Sequence, residues 1–493
     1  MRKTQVIVTP QQLIWLACIF AVAIVIRTFN LDATATWCDE KFSIREAHGL
    51  TMQALPAYFT SSQFESLNTI SNVVHANVVL DGGNGIFYIL QLHFWCKLFG
   101  ATDVAVRMLS ALYGIALLFS VYYIAKKKFK IPALAIGATA VAAFHPLLIM
   151  YAREARPYAA ATFYTIWSSY FLFHCFFSYQ PNSKPHVVNI LFYIVATLAA
   201  LLCHYLTAYI FITQGLWVII YLRKRIRIFY FLVAVSLAAT GLSLWMYVAG
   251  LKGMAVMHAH NNYYVTELSK NSDFVQPTTF LNCIIGSIQF ALPALGNSLQ
   301  KSGLQLREII LLLLIPLHLI YVAWRKADKS IRKYLNYCIL SLPVAVLFIT
   351  ALAINAGHTI SYQPHYANFV AAQLVFIMGV GCVYAFWQHK NVVLNRLVII
   401  SFALILSGTI SFYFLKPLNV YSNDVKNPYQ FIALKISETS KTDTIYFPNI
   451  TDAQLAYMYL KPTERIFSIN ASSTCVYIND KQQTILDLNK LRY

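Results

Sequence analysis

Charged residues are scarce in this chain, and carboxylates are the scarcest of them. Only 12% of the 493 residues are charged, with 19 Asp and Glu against 38 Lys and Arg. Soluble globular domains carry about 25% charged residues, so this composition excludes a soluble protein. With 58% hydrophobic residues and a mean hydropathy of +0.57, the chain is predicted to be an integral membrane protein that crosses the bilayer many times.

Cysteine is also sparse, and the nine cysteines show no spacing typical of a metal site. Most of them fall inside apolar runs, where the thiol behaves as a small hydrophobic group, so we predict no zinc site. Four lie in or near predicted outer segments and leave room for one disulfide, whose pairing the sequence does not choose: Cys38, Cys96, Cys283 and Cys475.

The net charge of +19 does not indicate a nucleic-acid partner, because no recognition motif is present and the basic residues cluster between apolar runs. This is the positive-inside pattern of cytoplasmic loops, and part of the excess suits anionic lipid or a lipid phosphate. The clusters are Arg2-Lys3, Lys126-Lys127-Lys128, Arg223-Lys224-Arg225, Arg325-Lys326 with Arg332-Lys333, and His389-Lys390 with Arg396.

The apolar runs predict about eleven membrane-spanning helices. We read the first run, Leu13 to Ile26, as a retained span, because no small-residue cleavage site follows it. With the N-terminus in the cytoplasm, this count puts every basic cluster inside and the C-terminus outside. The predicted spans are 12–30, 104–125, 131–150, 157–177, 187–203, 205–222, 228–250, 306–324, 334–354, 366–387 and 397–415.

Two shorter apolar stretches, Ile86 to Phe99 and Phe280 to Leu295, are predicted to lie on the membrane surface rather than to cross it. They belong to two large outer segments, 31–103 and 251–305. Residues 416–493 follow the transmembrane domain, 1–415, and turn signals there precede a helical and a strand-like run. The predicted fold is therefore an all-α polytopic membrane protein with a small C-terminal extracytoplasmic α/β domain.

Asp39 and Glu40 follow the first span by about eight residues. In an acid-poor chain, adjacent carboxylates at a membrane boundary are candidates for catalysis. The alternative is a pair of solvated loop charges. Further charges in the third loop of the chain, near residues 149–158 and also on the outer face, favour the functional interpretation, because charges of mixed sign at such a boundary usually face a shared cavity.

That loop contains Arg153, Glu154, Arg156 and Tyr158. If the segment is helical, Arg153 and Arg156 share a face and Glu154 points elsewhere. One arginine would then bind a phosphate, for which its planar fork of donors is suited, and the other would pair with a carboxylate. The alternative is a salt bridge that joins two outer loops.

Three further positions are candidates at the same face. His204 follows one predicted span and is either a polar hinge or part of the cavity; His365 and Tyr366 begin another span and are either cavity residues or interface anchors. Asp81 precedes a glycine-rich turn that lacks the phosphate-binding P-loop pattern, so it is the weakest candidate.

Several motifs, taken in order, resemble the GT-C glycosyltransferases of the protein-mannosyltransferase and lipid A aminoarabinose-transferase type. The likeness covers residues 12 to about 215 and returns faintly near residue 365. The motifs are the pair Asp39-Glu40, the run from Asn84 to Trp95, Leu98-Phe99-Gly100, Arg107 to Leu112, and Arg153-Glu154-Ala155-Arg156-Pro157-Tyr158.

The resemblance implies an inverting transferase that moves a sugar from a polyprenyl-phosphate carrier to a lipid, glycan or protein acceptor at the outer face of the membrane. The expected membrane is a bacterial inner membrane. It makes Asp39 the catalytic carboxylate, Glu40 its positioning neighbour, and Glu154 and Arg156 residues of the cavity and donor phosphate. Many relatives have Arg-Tyr where this chain has His365-Tyr366.

Two other functions remain open on sequence alone. One is a flippase or transporter of lipid-linked sugars, although its charges should lie at the bilayer midplane in repeated spans. The other is a glycan polymerase or ligase that uses a diphosphate carrier. The sequence supports no particular cofactor, and it leaves a divalent metal requirement open, because the outer carboxylates are too few and too scattered to define the ligands.

Overall fold

The protein is described by a computed structural model, and ten of the eleven predicted spans coincide with helices in it. The eleventh, 397–415, lies outside the described residues. The structure describes residues 9–32, 36, 38–51, 58–177, 186–263, 276–295, 306–388, 428–439, 443–448, 450–457, 466–469, 473, 475–478 and 483–487.

Helices dominate the described part of the chain, and one small sheet accompanies them. The helices are α1 (Pro10–Thr28), α2 (Cys38–Ala47), α3 (Ser61–Ser66), α4 (Ile70–Asp81), α5 (Ile86–Phe99), α6 (Asp103–Phe129), α7 (Pro132–Phe144), α8 (Pro146–Met150), α9 (Tyr158–Phe176), α10 (Val187–Cys203), α11 (Ala208–Tyr221), α12 (Arg225–Tyr263), α13 (Phe280–Ala294), α14 (Leu306–Lys326), α15 (Lys329–Ala356), α16 (Asn368–Gln388), α17 (Pro428–Ser437) and α18 (Ile450–Tyr457). The strands are β1 (Tyr58–Thr60), β2 (Thr444–Phe447), β3 (Ile466–Ile469), β4 (Cys475–Ile478) and β5 (Gln483–Asp487).

Five of the described helices are long and apolar enough to cross a membrane by length and composition, as an integral membrane protein requires. Five shorter apolar helices accompany them, including α5 and α13, whose 14 and 15 residues match the stretches predicted for the membrane surface. The five long helices are Pro10–Thr28, Asp103–Phe129, Arg225–Ala249, Lys329–Ala356 and Pro364–Ala385.

The predicted span 131–150 is two helices, because Pro146 has no backbone N–H to continue the first one. A buried arginine donates hydrogen bonds to the unpaired carbonyls at the C-terminal end of this first helix, α7. Arg27 donates from Nη1 to the carbonyl of Ala143 at 2.9 Å and from Nη2 to that of Ala142 at 3.2 Å. The last carbonyls of a helix lack partners within it, so this contact joins the ends of α1 and α7.

The predicted outer segment 251–305 begins as a helix that continues from the span before it. Helix α12 runs for 39 residues and continues past residue 250 to Tyr263. Lys252, His258 and His260 therefore lie on a continuous helix rather than in a loop. Apolar content alone fixed the predicted end, whereas polar residues extend a helix beyond an apolar run without a break.

The five-stranded sheet has the order β1-β3-β2-β4-β5. Strands β2 and β3 are parallel, and the other neighbours are antiparallel. Four strands come from residues 444–487, within the predicted C-terminal α/β domain. The edge strand β1 comes from the first loop and pairs Phe59 with Phe467, so a boundary at residue 416 does not enclose the whole sheet.

We call residues 428–487 the C-terminal unit. Its apolar interior lies between the sheet and helices α17 and α18, and it includes Ile432, Ile445, Leu455 and Phe467, all buried. The unit faces the first loop, which contains α2, so the fold brings the far end of the sequence next to the helix that carries the acidic pair.

Candidate active site

Asp39 and Glu40 lie in the first turn of α2. The N-terminal end of a helix carries unpaired N–H groups and a partial positive charge, which favour carboxylates there. Successive residues of a helix point about 100° apart. The two carboxylates therefore face different neighbours, and the structure gives them different environments.

Glu40 is fully buried and paired. Arg107 of α6 donates to it twice, from Nε to Oε1 at 2.8 Å and from Nη2 to Oε2 at 2.7 Å. The backbone N–H of Ala155 also donates to Oε1, at 2.8 Å. A bidentate pair with a third donor satisfies a buried carboxylate, so Glu40 fixes α2 against α6 and against the loop that contains Arg156.

Asp39 is the accessible member of the pair, with a side chain that is 32% exposed. Its Oδ2 lies 3.9 Å from Nη2 of Arg156. The same guanidinium nitrogen lies 4.0 Å from Oδ2 of Asp81, whose side chain is also 32% exposed. One buried cation thus stands between two carboxylates that solvent reaches.

Arg156 is held in place by α2. Its Nη1 donates to the backbone carbonyl of Asp39 at 3.1 Å and to Oγ of Ser43 at 3.0 Å. Burial lowers the pKa of Arg156, but Tyr158, Asp39 and Asp81 raise it, and the net result is a pKa well above the ordinary value. Arg156 is therefore a permanent positive charge, and its buried Nε has no hydrogen-bond partner among the described residues.

Arg153 does not lie with Arg156. Residues 151–157 form turns rather than a helix, so the shared face expected from helical spacing is absent. Arg153 donates from Nη1 to the carbonyls of Ile26 and Phe29 at 2.7 and 2.9 Å, and from Nη2 to that of Asn30 at 3.0 Å. These carbonyls lie at the C-terminal end of α1, so the Arg153 guanidinium caps that helix.

Glu154 lies near the acidic pair. Burial raises the pKa of Glu154 well above its ordinary value, and the charges of Glu40 and Asp39 raise it further. Its Oε2 is buried and has no hydrogen-bond partner among the described residues. A buried carboxyl beside two other carboxylates favours its protonated form.

A second buried carboxyl adjoins Asp81. Glu46 lies on the same face of α2 as Asp39, and its Oε2 accepts a hydrogen bond of 2.8 Å from Nδ2 of Asn77. Burial raises the pKa of Glu46 well above its ordinary value, and Asp81 raises it further. Solvent reaches only part of the Asp81 side chain, and the loss of the remaining hydration raises its pKa to about 6, with Arg156 opposing the shift and Asp39 adding to it.

An aromatic cluster covers one side of Arg156. The guanidinium carbon lies 5.6 Å from the ring centre of Tyr158, whose ring lies 4.9 Å from His365 and 5.5 Å from His204. The ring of Tyr366 lies 4.0 Å from that of His365 and 5.5 Å from that of His204. These four residues, which the sequence offers as candidates in three separate segments, are therefore neighbours.

His204 contributes no positive charge to this cluster. Burial lowers the pKa of His204 to about 3, and the charge of Arg156 lowers it further. Its Nδ1 accepts a hydrogen bond of 3.2 Å from the N–H of Leu206, which leaves Nε2 as the protonated nitrogen. A neutral imidazole donates a hydrogen bond but does not balance an anion.

The backbone conformation of the turn after Asp81 requires its glycines. Gly82, Gly83 and Gly85 all have positive φ, between 61° and 81°, which glycine adopts without strain. The carbonyl of Gly83 accepts hydrogen bonds from the hydroxyl of Tyr205 at 2.7 Å and from Nε1 of Trp245 at 3.0 Å. The turn is thereby joined to α12, and it sets the position of Asp81.

Sequence reasoning assigned no role to four residues that build this site: Arg107, Ser43, Glu46 and Asn77. Arg107 carried a signal, because a charge near the start of an apolar helix usually faces a partner in the protein. Glu46 is spaced seven residues from Asp39, which places both on one helix face. Ser43 and Asn77 are ordinary polar residues in sequence and carried no signal.

The described part of the chain contains no group of three or more His, Cys, Asp or Glu that could hold a metal ion. Of the four cysteines considered for a disulfide, Cys96 and Cys283 are free thiols. The side chain of Cys38 lies outside the described residues.

The fold is similar to that of solved membrane proteins. The apo structure of ArnT from Cupriavidus metallidurans matches with a TM-score of 0.53 and 14% identity, covering 90% of this chain and 84% of that chain. AglB, the archaeal oligosaccharyltransferase from Archaeoglobus fulgidus, matches with a TM-score of 0.49 and 12% identity, and the match covers 92% of this chain and 60% of that chain. No protein-family model and no curated protein matches the sequence. The likeness to ArnT confirms the predicted fold: the chain has the GT-C membrane fold.

Proposed function

We propose that this protein is an integral-membrane glycosyltransferase that moves a sugar from a polyprenyl-phosphate donor to a lipid, glycan or protein acceptor. The observation that carries the proposal is the placement of a partly exposed carboxylate, Asp39, 3.9 Å from the guanidinium of Arg156 in a GT-C fold. Such a reaction needs a base and a cation at adjacent positions, and these two groups supply them.

The proposed reaction is a single displacement. The acceptor hydroxyl oxygen attacks the anomeric carbon of the sugar, and its proton passes to a carboxylate oxygen of Asp39. The bond between the anomeric carbon and the phosphate oxygen breaks, and the polyprenyl phosphate leaves with the bonding electron pair. Attack from the side opposite the phosphate inverts the anomeric configuration.

Arg156 is the group proposed to bind the leaving phosphate. Its charge is permanent, and its unpartnered Nε is a donor that the described residues leave unused. Hydrogen bonds to charged groups gain strength in a site with little water. As negative charge grows on the phosphate, the attraction of the guanidinium increases, which stabilises the transition state more than the bound donor.

The residues around Asp39 and Arg156 have separate proposed roles. Glu40, paired with Arg107, holds α2 so that Asp39 and Arg156 stay together. Tyr158, His204, His365 and Tyr366 form an aromatic wall beside Arg156. This wall suits the sugar-phosphate because aromatic faces contact a sugar ring while they exclude water. Asp81, on the other side of Arg156, is proposed to lie at the acceptor entrance.

The predicted topology supports an active site at the outer face of the membrane, in the periplasm if the organism is bacterial. With the basic clusters inside, the loops that contain Asp39 and Arg156 lie outside. The apolar helices then hold the polyprenyl chain in lipid while the sugar-phosphate reaches the water boundary.

Sugar transfer by the purified protein tests the proposal. The protein in lipid nanodiscs is incubated with radiolabelled polyprenyl-phosphate sugars and with lipid, glycan and peptide acceptors, and products are separated by chromatography. We expect label on one acceptor class, addition of one sugar, and an inverted linkage by NMR. Transbilayer movement of donor without product, or reaction only with diphosphate-linked glycans, would instead establish one of the two other functions.

A further inference from the structure

A third face of α2 meets the C-terminal unit. Arg45 donates from Nε to Oε1 of Gln454 at 3.1 Å, and both side chains are buried. The same amide donates from Nε2 to the backbone carbonyl of Thr51 at 2.9 Å. One glutamine of α18 therefore contacts both the helix that contains Asp39 and the chain that follows this helix.

The neighbouring position on this face also contacts the unit. Lys41 lies four residues before Arg45, which puts the two side chains on one helix face. Its ammonium lies 5.0 Å from the ring centre of Tyr429, a distance typical of a cation–π contact. The hydroxyl of Tyr429 donates to Oδ1 of Asp452 at 2.8 Å, so the ring that receives Lys41 is itself fixed.

The C-terminal unit does not depend on Gln454 for its attachment. Strand β1 of the first loop pairs with β3 over three residues, Tyr58 to Thr60. At another point, the hydroxyl of Tyr457 donates to Oε2 of Glu65 at 2.6 Å. The unit is thus a fixed support, against which α2 is oriented by the Arg45–Gln454 contact.

Helix α2 needs such support because it is short. It has ten residues, and isolated helices below about 12–15 residues are marginal in water. Two of its faces are oriented by Arg107 and Arg156, which contact Glu40 and Ser43. The Arg45–Gln454 contact supplies the third direction, and three directions fix the rotation of the helix about its axis.

We infer that Gln454 is a positioning residue for the proposed transfer: through Arg45 it sets the rotation of α2 and hence the direction of Asp39 toward the acceptor. The inference rests on the proposed function. The Arg45–Gln454 contact joins residues that are 409 apart in the sequence. Through this contact the C-terminal unit becomes part of the active site, although none of its residues contacts substrate. A misplacement of about 1 Å can cost about 10²-fold in rate.

The variant Gln454→Leu keeps the volume of the side chain and removes both hydrogen bonds. We expect kcat to fall about tenfold or more, and by a larger factor than the donor KM or the Kd for polyprenyl phosphate changes, because Gln454 does not contact Arg156 directly. Gln454→Glu restores an acceptor for Nε of Arg45 and is expected to recover most of kcat. Lys435→Ala, in an exposed ion pair of the same unit, is the control with unchanged kcat.

The double variant Arg45→Lys/Gln454→Leu tests whether the two residues affect kcat through their mutual contact or independently of each other. If the two residues act as one unit, the double variant is no slower than the slower single variant. Arg45→Lys alone removes the Nε donor and keeps the charge, and it replaces Gln454→Leu if the latter does not fold. Additive losses, or a kcat within about twofold of wild type in both folded single variants, would overturn the inference.

Amide hydrogen exchange gives a readout that needs no transferase assay. In Gln454→Leu, exchange in residues 38–47 is expected to become faster while exchange in α6 and α9 stays unchanged, and Gln454→Glu is expected to reverse the effect. If the wild type transfers no sugar but this exchange pattern holds, the proposed function fails and the structural coupling stands. An unchanged exchange rate in residues 38–47 contradicts the coupling itself.

Discussion

Arg107 binds Glu40 through two hydrogen bonds from one guanidinium, at 2.8 and 2.7 Å, in a fully buried setting. Its remaining terminal nitrogen donates to the backbone carbonyl of Leu31 at 2.6 Å. One side chain of α6 therefore fixes both the start of α2 and the chain that leads to it. The pairing also explains why two adjacent carboxylates differ: Glu40 is occupied, and Asp39 is accessible.

Breaking this pair is expected to destabilise the protein strongly. Arg107→Met leaves the Glu40 carboxylate buried without its partner, which costs about 3–5 kcal/mol when one member of a buried ion pair is removed. The apparent unfolding temperature in detergent, followed by intrinsic fluorescence, measures the effect. Lys435→Ala breaks an exposed ion pair and should shift this temperature little. Equal unfolding temperatures for the two variants would contradict a supporting role for Arg107.

The two arginines of the third loop are expected to behave differently. Arg156→Met removes the proposed phosphate-binding cation, so kcat should fall by about 10²–10³. Arg153→Met removes the group that closes α1 and should lower the unfolding temperature, while the folded fraction retains turnover near the wild-type value. Steady-state kinetics normalised to folded protein compares them. A similar loss of kcat in both variants would contradict the division of roles.

The elevated pKa of Asp81, about 6, predicts a stability that depends on pH. Because this value lies above the ordinary aspartate value of 3.8, the folded state binds the proton more tightly than the unfolded state. The stabilisation from Asp81 is therefore complete below about pH 4 and is lost as pH rises through 6. The unfolding temperature of wild type relative to Asp81→Asn should fall between pH 4.5 and 7. A difference that stays constant or rises with pH would be evidence against this environment.

Chelation is expected to leave turnover unchanged. Arg156 lies between Asp39 and Asp81, at 3.9 and 4.0 Å, and so supplies the positive charge next to both carboxylates. Initial rates measured with EDTA, and again after addition of Mg²⁺ or Mn²⁺, should agree within about twofold, since a guanidinium stabilises phosphate charge directly. Loss of activity in EDTA with recovery on metal addition would assign that charge to a bound cation.

Local patterns in the sequence predicted the helices and part of the site. Apolar runs of sufficient length located the helices of ten predicted spans, because a membrane span is recognisable without its neighbours. The boundaries of α5, Ile86 and Phe99, are those predicted. Asp39 and Arg156 were expected at the same face because the span count puts both loops on one side, and they are neighbours.

The remaining features depend on contacts between distant segments. Arg153 and Arg156 separate because their segment forms turns, and helical spacing does not apply to turns. Arg107 and Glu40 are 67 residues apart, and a charge in one segment does not identify its partner in another. Strand β1 has three residues and pairs with a strand near the end of the chain, so its local pattern was too short to recognise.

The most direct test of the central claim is the turnover of Asp39→Asn. Asparagine keeps the size and hydrogen-bonding capacity of the side chain but does not accept the acceptor proton, so kcat should fall by about 10²–10⁴. The Kd for polyprenyl phosphate and the unfolding temperature should stay near the wild-type values, because Arg156 and the Glu40–Arg107 pair remain. A folded Asp39→Asn variant that binds donor and transfers sugar at the wild-type rate would contradict the account.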